Sequence, residues 1–409
     1  MKLRRNTVMN SENIFEVREI RCKVNIFFGV GAIAKVDEIA REMKERQIHS
    51  VLVVTGHGSY RSTGAWDRIE TALKREGIAF RLYNGVTPNP TADQVDEALA
   101  IGREVNAGAV IAIGGGSPID AGKAVAALLA YPGETARKLC SFEFAPERAL
   151  PLLAVNLTHG TGTEADRFSV ITVPEKEHKP ALAYECMYPT WAIDDPALMT
   201  GLSEKQTRFV SIDAVNHVIE AATSKAASPF SILLARETIR QVARFLPEAL
   251  KDPSSLRARY YLLYASMIAG IAFDNGLLHF THALEHPLSA VNPDLTHGMG
   301  LAILLPAVVK QIYPEKGEVL ADILSPIAPG LTGKPGEALS AAKAVERWLF
   351  SCGATEKLAD GGFSENDIPK LAELTLSTPS LSTLLDMAPV ESSREIVEAI
   401  YRDSFRPME

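Results

Sequence analysis

Short hydrophobic or β-prone segments alternate with amphipathic stretches from about residue 24 to residue 195, and this alternation limits the possible fold more than any other feature of the sequence. The predicted strands lie at 51–54, 80–83 and 109–113. The predicted helices lie near 64–76, at about 91–105 and from Pro118 onward. Strands that alternate with helices form βαβ units, so this half of the chain is expected to be a parallel sheet covered on both faces.

The second half of the chain has a different pattern. Helical periodicity with few β-branched runs extends over residues 203–225, 229–250, 255–275 and 276–288, and it continues in the tail from 336. A chain of 409 residues also exceeds what one hydrophobic core usually holds. We therefore expect an α/β domain over residues 1–195 and an all-α domain over residues 196–409, with the boundary at Pro196.

Composition excludes several classes of partner. The formal charge of −8 gives no reason to expect nucleic acid or an anionic membrane surface. No apolar run is long enough to span a bilayer, and the first seven residues lack the hydrophobic region of a signal peptide. The four cysteines are far apart, which is typical of reduced thiols. These features predict a cytoplasmic protein without a membrane partner.

A glycine-rich segment follows the third predicted strand. Gly114, Gly115 and Gly116 allow backbone N–H groups to approach a ligand, and Pro118 suits the first position of a helix. Ser117 is a candidate N-cap, with Asp120 three residues later as in a capping box. The start of this helix is thus a predicted anion site suited to a pyrophosphate, although a tight turn without a ligand fits the same residues.

The spacing of these glycines differs from two common nucleotide-binding motifs. No G-x-G-x-x-G follows the first predicted strand, so the usual dinucleotide fingerprint is absent. Lys123 does not have the spacing of a P-loop lysine.

Histidines are concentrated near residues 282–297. His282 and His286 are four residues apart and would share one face of a helix. Pro287 and Pro293 predict a turn before His297.

Asp213 and His217 have the same i, i+4 spacing in a separate segment. An isolated pair of this kind is more often a surface or core feature than a metal site. Two such pairs with a further histidine supply one carboxylate and up to four imidazoles, which suits a first-row divalent metal with an open coordination position. The spacing does not identify the metal.

Taken together, these segments resemble the iron-containing (group III) alcohol dehydrogenase family. The resemblance covers most of the chain, from residue 28 to residue 306. Its motifs lie at 28–33, 87–91, 114–120, 160–164, 213–217, 282–286 and 297–298. Each motif alone is weak, whereas their order and spacing together are specific. The resemblance implies a Rossmann-like N-terminal domain of the kind found in dehydroquinate synthase, followed by an all-α domain.

The resemblance also implies a reaction and a set of site residues. Hydride would pass between NAD or NADP and a small alcohol or aldehyde whose oxygen is polarised by a divalent metal. The implied metal ligands are Asp213, His217, His282 and His297, and the metal would be Fe²⁺, with Zn²⁺ or another divalent ion possible. His286 matches the residue that passes the proton away from the substrate oxygen, as an imidazole can near neutral pH. The implied cofactor-binding residues are Gly56, Ser59, Asn89, Gly114, Gly115, Gly116, Ser117, Asp120, Thr158 and Thr161.

The sequence departs from the family pattern at several positions. Ten residues separate His286 from His297, one more than usual, so the loop through Pro293 is expected to bulge. His279 stands where glycine is common and is either a structural histidine or a part of the site. Leu157 and His159 replace small or hydroxyl residues and are expected to reshape the substrate pocket.

The end of the first predicted strand bears on the choice between NAD and NADP. An acidic residue there would bind the ribose 2′-hydroxyl and favour NAD. Residues 55–61 contain no carboxylate, and Ser59 and Arg61 are available to a 2′-phosphate. This segment therefore favours NADP, although Arg61 also fits a solvated helix position.

Other functions within and outside this superfamily fit parts of the pattern. A zinc glycerol dehydrogenase is disfavoured by the four-ligand set, and a dehydroquinate-synthase-like lyase by the lack of Lys and Arg in residues 276–300. A metal- and nucleotide-binding protein without catalysis would lack the relay position that His286 fills. A homo-oligomer, by default a dimer, is expected for a symmetric soluble enzyme.

Overall fold

The computed structural model describes residues 17–408, so the N-terminal segment searched for a signal peptide lies outside the described residues. The strands are β1 Asn25–Phe28, β2 Ser50–Gly56, β3 Ala79–Val86, β4 Ala109–Gly114, β5 Leu152–Asn156, β6 Phe168–Val170, β7 Ala181–Ala183 and β8 Trp191–Asp194. Six of them form one sheet in the order β1-β8-β5-β4-β2-β3, and all neighbouring strands in it are parallel. The two short strands β6 and β7 form an antiparallel pair. The predicted parallel sheet is thereby confirmed.

Helices cover both faces of this sheet and then form the rest of the chain. The helices of the α/β half are α1 Val36–Glu45, α2 Ser59–Ser62, α3 Ala65–Glu76, α4 Ala92–Glu104, α5 Gly116–Leu129 and α6 Ala136–Cys140. Those of the helical half are α7 Glu204–Thr223, α8 Pro229–Lys251, α9 Leu256–Gly276, α10 Phe280–Val291, α11 His297–Ile323, α12 Ala338–Ser351, α13 Ile368–Ser377, α14 Leu381–Asp386 and α15 Arg394–Asp403. The predicted all-α second half is confirmed.

Strand β2 shows why the sheet needs helices on both faces. Val51 and Val53 are fully buried in a cluster with residues of α1 and α3, whereas Leu52 and Val54 are fully buried in a second cluster with residues of α4 and α5. Successive side chains of a strand point to opposite faces, so a run of four apolar residues requires two apolar layers.

Serines begin the first three helices of the helical half. Ser203, Ser228 and Ser255 each accept a hydrogen bond at the side chain from a backbone N–H of the first helical turn. At Ser228 a complete capping box is followed by Pro229 at the first helical position. These caps satisfy N–H groups that have no partner inside the helix, and they fix where α7, α8 and α9 start.

Three details of the sequence prediction were wrong. Strand β1 was not predicted, so the glycine segment follows the fourth strand and not the third. β1 has only four residues at the edge of the sheet, which leaves too short a pattern to recognise.

Pro287 lies inside α10, because this buried helix continues to Val291, and the turn occurs afterwards, where Leu295 N donates to Asn292 O at 3.0 Å. Gly115, and not Ser117, is the N-cap of α5.

Residues 195–203 connect the last strand of the sheet to the first long helix of the helical half. β8 ends at Asp194 and α7 begins at Glu204. The exact boundary at Pro196 stays a prediction.

Among the described helices, none alone has the length and hydropathy of a membrane span; α9 and α10 would meet the criterion only as a pair, bent by 108°.

A pair of glycines allows a close backbone contact between the two halves. A Cβ atom on Gly270, in the middle of α9, would lie 2.3 Å from the carbonyl oxygen of Gly162. Gly162 also has a φ of +63°, which is costly for residues with a side chain. Glycine at both positions therefore allows backbone-to-backbone contact.

Gly270→Ala is expected to lower the free energy of unfolding by about 1–3 kcal/mol, because the methyl group overpacks a rigid backbone contact. Urea denaturation would measure the loss. Gly336→Ala is the matched control, since a Cβ there meets nothing within 4 Å; it should leave stability unchanged or raise it by up to about 1 kcal/mol. Equal effects of the two substitutions would contradict the close contact.

Candidate active site

A cleft of about 1000 Å³ lies at the carboxyl ends of the central strands, between the sheet and the helical half. Both halves supply its walls. The lining residues include nearly all of the predicted site residues: Gly56, Ser59, Asn89, Gly115, Gly116, Ser117, Asp120, Thr158, Thr161, Asp213, His217, His282, His286 and His297. Gly114 is the predicted residue that does not line it.

The glycine segment is held tightly at the start of α5. A Cβ on Gly115 would lie 2.7 Å from Thr158 Cγ2, and one on Gly116 would lie 2.6 Å from Thr161 Cγ2. Side chains at these positions would therefore push the segment away from the two threonines. The first N–H groups of α5 have no partner within the helix and lie at the cleft, which suits an anionic group.

Asp120 does not form the predicted capping box. Its carboxylate accepts hydrogen bonds from Thr163 Oγ1 at 2.7 Å and from the backbone N–H of Val170 at 2.9 Å. Burial raises the pKa of this carboxyl group. The Asp120 side chain therefore holds Thr163 and the end of β6 against α5. Lys123 is likewise fully buried and donates to Asp166 at 2.9 Å, as expected for a lysine outside a P-loop.

Asn89 lines the cleft, but protein groups bind both ends of its amide. Its Oδ1 accepts from Lys179 Nζ at 2.9 Å, and its Nδ2 donates to Pro293 O at 3.3 Å. Asn89 therefore has a structural role: it binds the loop that contains Pro293 and precedes His297.

Three of the four predicted metal ligands form one buried cluster. Their candidate ligand atoms all lie within 4.8 Å of one another. Asp213 Oδ1 is 3.5 Å from His217 Nε2 and 3.7 Å from His282 Nε2, and the two imidazole rings stack with centroids 4.6 Å apart. The i, i+4 spacing on α7 brings Asp213 and His217 together, and α10 supplies His282.

The donor atoms of this cluster fit a cation. Asp213 Oδ1 and His282 Nε2 are buried and have no hydrogen-bond partner among the described residues. Burial raises the pKa of Asp213, but His217, His282 and His297 outweigh that effect and lower it to about 2. Burial lowers the pKa of His217 to about 4. An ionised carboxylate and a neutral imidazole are the forms that bind divalent metals.

Glu220 is a buried carboxylate that orients His282. His282 Nδ1 donates to Glu220 Oε2, while Glu220 Oε1 accepts from the backbone N–H groups of His279 and Thr281 at 2.9 Å. Burial lowers the pKa of His282, yet Glu220 and Asp213 raise it to about 9, so a metal would displace a proton from it. The bonded Nδ1 leaves Nε2 directed at Asp213.

His297 lies beside this cluster but in a second group. Its ring centroid is 5.4 Å from that of His282 and 5.8 Å from that of His286. Its candidate ligand atom clusters with those of Glu285 and His286, and its Nδ1 donates to Glu285 Oε2. The structure thus brings together three predicted ligands and places the fourth next to them.

His286 differs from His282 in the partner of its ring. Its Nδ1 donates to the backbone carbonyl of Lys179 at 2.8 Å, which leaves Nε2 as an acceptor. Burial and the charge of Lys179 lower its pKa well below the usual value, so the ring is neutral at pH 7. These surroundings therefore favour the neutral ring over the near-neutral titration expected from the sequence.

Sequence reasoning missed three residues of the site: Lys179, Glu220 and Glu285. Glu220 is three residues after His217 and Glu285 three after His282, so helical spacing was a usable signal for both. Lys179 gave no signal, because it is more than one hundred residues from Glu285 and His297, the two residues that it approaches. Its Nζ is 3.5 Å from both Glu285 Oε2 and His297 Nδ1. The absence of Lys and Arg in residues 276–300 was therefore a poor guide to the charge of the site.

The three residues that depart from the family pattern, His279, Leu157 and His159, lie in different surroundings. His279 is fully buried, caps α10 and contacts Thr223 Oγ1 at 2.9 Å, which makes it a structural histidine. Leu157 lines the cleft as expected. His159 does not line the cleft; it is fully buried, and Arg259 Nη1 donates to its Nε2 at 2.8 Å. The expectation that His159 reshapes the pocket was wrong.

At the end of β2 the cleft is lined by Gly56, His57, Ser59 and Ser62. No acidic side chain lies among these lining residues. Arg61 does not line the cleft, and its guanidinium lies 5.2 Å from the centroid of the Tyr60 ring. Of the two residues expected to be available to a 2′-phosphate, Ser59 lines the cleft and Arg61 does not.

Comparison with known proteins gives consistent results over both halves. The family described as iron-containing alcohol dehydrogenase matches residues 24–196, and the C-terminal family of Fe-containing alcohol dehydrogenases matches residues 209–405. A long-chain primary alcohol dehydrogenase of Thermoanaerobacter ethanolicus is 57% identical over 98% of this chain and 99% of its own length. A 1,3-propanediol dehydrogenase of Klebsiella pneumoniae is 32% identical over 93% of this chain and 96% of its own length.

Solved structures agree with these relatives. An NADH-dependent butanol dehydrogenase from Thermotoga maritima has a TM-score of 0.88 at 29% identity, covering 96% of this chain and 99% of its own. A 1,3-propanediol oxidoreductase has a TM-score of 0.85 at 31% identity, covering 95% of this chain and 100% of its own. This chain is an alcohol dehydrogenase that belongs to the iron-containing alcohol dehydrogenase family.

Proposed function

We propose that this alcohol dehydrogenase holds a divalent metal, iron or zinc, on Asp213, His217, His282 and His297, and that it interconverts primary alcohols and aldehydes with NADP or NAD. One observation carries this proposal. A buried cluster of donor atoms without partners shares a cleft with the N–H groups at the start of α5. The cluster suits a cation and the helix start suits a pyrophosphate, which are the two groups that the chemistry requires.

The chain would position the two reactants through its two halves. When bound, the metal would supply Lewis-acid polarisation of the substrate oxygen. Gly115, Gly116 and Ser117 would hold the pyrophosphate, and Thr158 and Thr161 would support that segment. The walls of the cleft then orient the nicotinamide toward the histidine cluster and exclude water from the reacting atoms.

His286 is proposed to move the proton. Its Nδ1–H is bonded to Lys179 O, so the neutral ring offers Nε2 to a proton from the alcohol during oxidation and returns it during reduction. His282 has no such freedom, since Glu220 and Asp213 flank its two nitrogens.

The structure favours an apolar substrate tail. The ring of Phe273 stacks on His217 with centroids 4.6 Å apart, and the ring of Phe168 lies 5.3 Å from Phe273. Both phenylalanines line the cleft beside the proposed metal ligands. The names of the relatives include long-chain primary alcohol and 1,3-propanediol dehydrogenases, and the aromatic wall supports the former type for this chain.

The homo-oligomer and the cytoplasmic location stay predictions, as does the identity of the metal. Light scattering of the purified protein would establish the first, and metal analysis after anaerobic purification would establish the last.

Asp213→Ala and His286→Ala are expected to differ in metal content. Asp213→Ala should lose both metal and activity, because it removes the one carboxylate in the cluster. His286→Ala should keep the metal and lower kcat by about 10²–10⁴-fold, the usual effect of losing a general acid–base group. Elemental analysis with steady-state kinetics tests both. His49→Ala, at an exposed position, is the control. Metal-free His286→Ala protein would make His286 a ligand.

NADPH is expected to be used at least as well as NADH. Gly56→Asp should lower the NADPH-to-NADH ratio of kcat/KM by about tenfold or more, equivalent to about 1.4 kcal/mol, by placing a negative charge near the 2′-phosphate. A Cβ at this position lies 3.2 Å from Val86 O, so Gly56→Asn is needed to separate the steric effect from the charge. A native preference for NADH, or equal ratios in the two variants, would contradict this assignment.

Catalytic efficiency is expected to rise with the chain length of a primary alcohol. Burial of each methylene against the aromatic wall contributes at most about 0.8 kcal/mol, which corresponds to about a fourfold rise in kcat/KM. Phe168→Ala should reduce this rise while changing the efficiency with ethanol much less. A series of unbranched alcohols from ethanol to decanol measures the slope, and a flat series would refute an apolar binding wall.

A further inference from the structure

Glu285 is a fully buried carboxylate next to the proposed metal site. It lies on α10 between His282 and His286, and its Oε2 accepts a hydrogen bond from His297 Nδ1. Lys179 Nζ lies 3.5 Å from the same oxygen. An isolated buried carboxylate would be very unfavourable, so these two contacts account for its presence.

The surroundings of Glu285 are shaped for this side chain. A Cβ on Gly300, in the first turn of α11, would lie 2.8 Å from Glu285 Cγ. Lys179 is held in turn by Ser289 Oγ at 2.7 Å and Asn89 Oδ1 at 2.9 Å. Glu285 thus has space only because residue 300 is glycine, and it has a counter-ion fixed by two further groups.

The contact repeats the one between Glu220 and His282. In both pairs a buried carboxylate accepts from Nδ1 of a histidine, which leaves Nε2 as the nitrogen available to a metal. A carboxylate on the remote nitrogen fixes the tautomer and the ring orientation of a metal ligand and raises its basicity. His297 has particular need of this, because it begins a helix after a five-residue loop and its side chain is 26% exposed.

We infer that Glu285 is the positioning residue for His297: it binds Nδ1 and thereby presents Nε2 to the metal held by Asp213, His217 and His282. This role rests on the proposed function. The competing arrangement makes Glu285 itself a ligand, since its oxygen lies in one cluster with nitrogens of His286 and His297.

A double-mutant cycle separates these arrangements. The affinity for Co²⁺ is measured by competition with a chelator in four proteins: the unsubstituted chain, Glu285→Gln, His297→Ala and the double variant. Glu285→Gln should weaken binding by about 10–100-fold, the usual effect of removing such an outer carboxylate. In the His297→Ala background the same substitution should change affinity by less than about twofold, because Glu285 has no ring left to orient.

The visible spectrum of bound Co²⁺ provides a readout that general destabilisation would not change. The spectrum of Glu285→Gln should keep the band shape of the wild type, since the ligand atoms stay the same. A changed coordination spectrum together with an equal loss of affinity in both backgrounds would make Glu285 a ligand and overturn the proposal. Unchanged affinity in Glu285→Gln would overturn it as well.

Further variants control for folding and for the metal site itself. Glu346 forms a buried ion pair with Lys357 elsewhere in the helical half, so Glu346→Gln removes a comparable charge and should leave Co²⁺ affinity unchanged. If Glu285→Gln does not fold, Gly300→Ala displaces the same side chain and should also weaken binding.

Asp213→Ala is measured in parallel. Binding equal to wild type in Asp213→Ala would overturn the metal site and the role of Glu285 together, whereas loss there with unaffected Glu285→Gln overturns the role alone.

Discussion

The burial of Asp213 is the constraint on which the helical half of this enzyme depends. The residue is 2% exposed, and its Oδ1 has no hydrogen-bond partner among the described residues. Burial alone would make an ionised carboxylate costly by several kcal/mol. The nearby imidazoles outweigh this cost and lower the pKa of Asp213 to about 2. The packing of α7 against α9 and α10 therefore holds a charged oxygen without a hydrogen-bond partner beside imidazole nitrogens, which is the arrangement that a cation requires.

Two further buried carboxylates, Glu220 and Glu285, lie next to the histidines of the site. Glu220 receives two backbone N–H groups at the start of α10, which both anchor its charge and satisfy the helix end. Glu285 is balanced by Lys179. Two chains of contacts therefore lead away from the cleft, one from Asp213 through His282 to Glu220 and one from His297 through Glu285 to Lys179. Within each chain, a neighbouring polar group reduces the cost of burying a carboxylate.

Much of this arrangement followed from the sequence where the determining contacts are local. The parallel sheet, the helices from α7 to α10 and the pairing of Asp213 with His217 all depend on periodicity within a few residues. The glycine segment was located correctly, although the predicted capping box does not form, because Asp120 is bonded to Thr163, 43 residues away. Lys179 was unpredictable for the same reason: its position beside His297 depends on the packing of one half of the chain against the other.

The extra residue in the loop before His297 shows how the two halves act together. The loop does not simply bulge: Asn292 closes a turn with Leu295, and Asn89 of the α/β half donates to Pro293 O. The same Asn89 amide accepts from Lys179, which is the counter-ion of Glu285. The position of His297 is therefore fixed from the α/β side of the cleft as well as from α10 and α11. Since most of the predicted cofactor-binding residues line that same side of the cleft, the predicted cofactor site and the fourth proposed metal ligand are held by contacts of one loop.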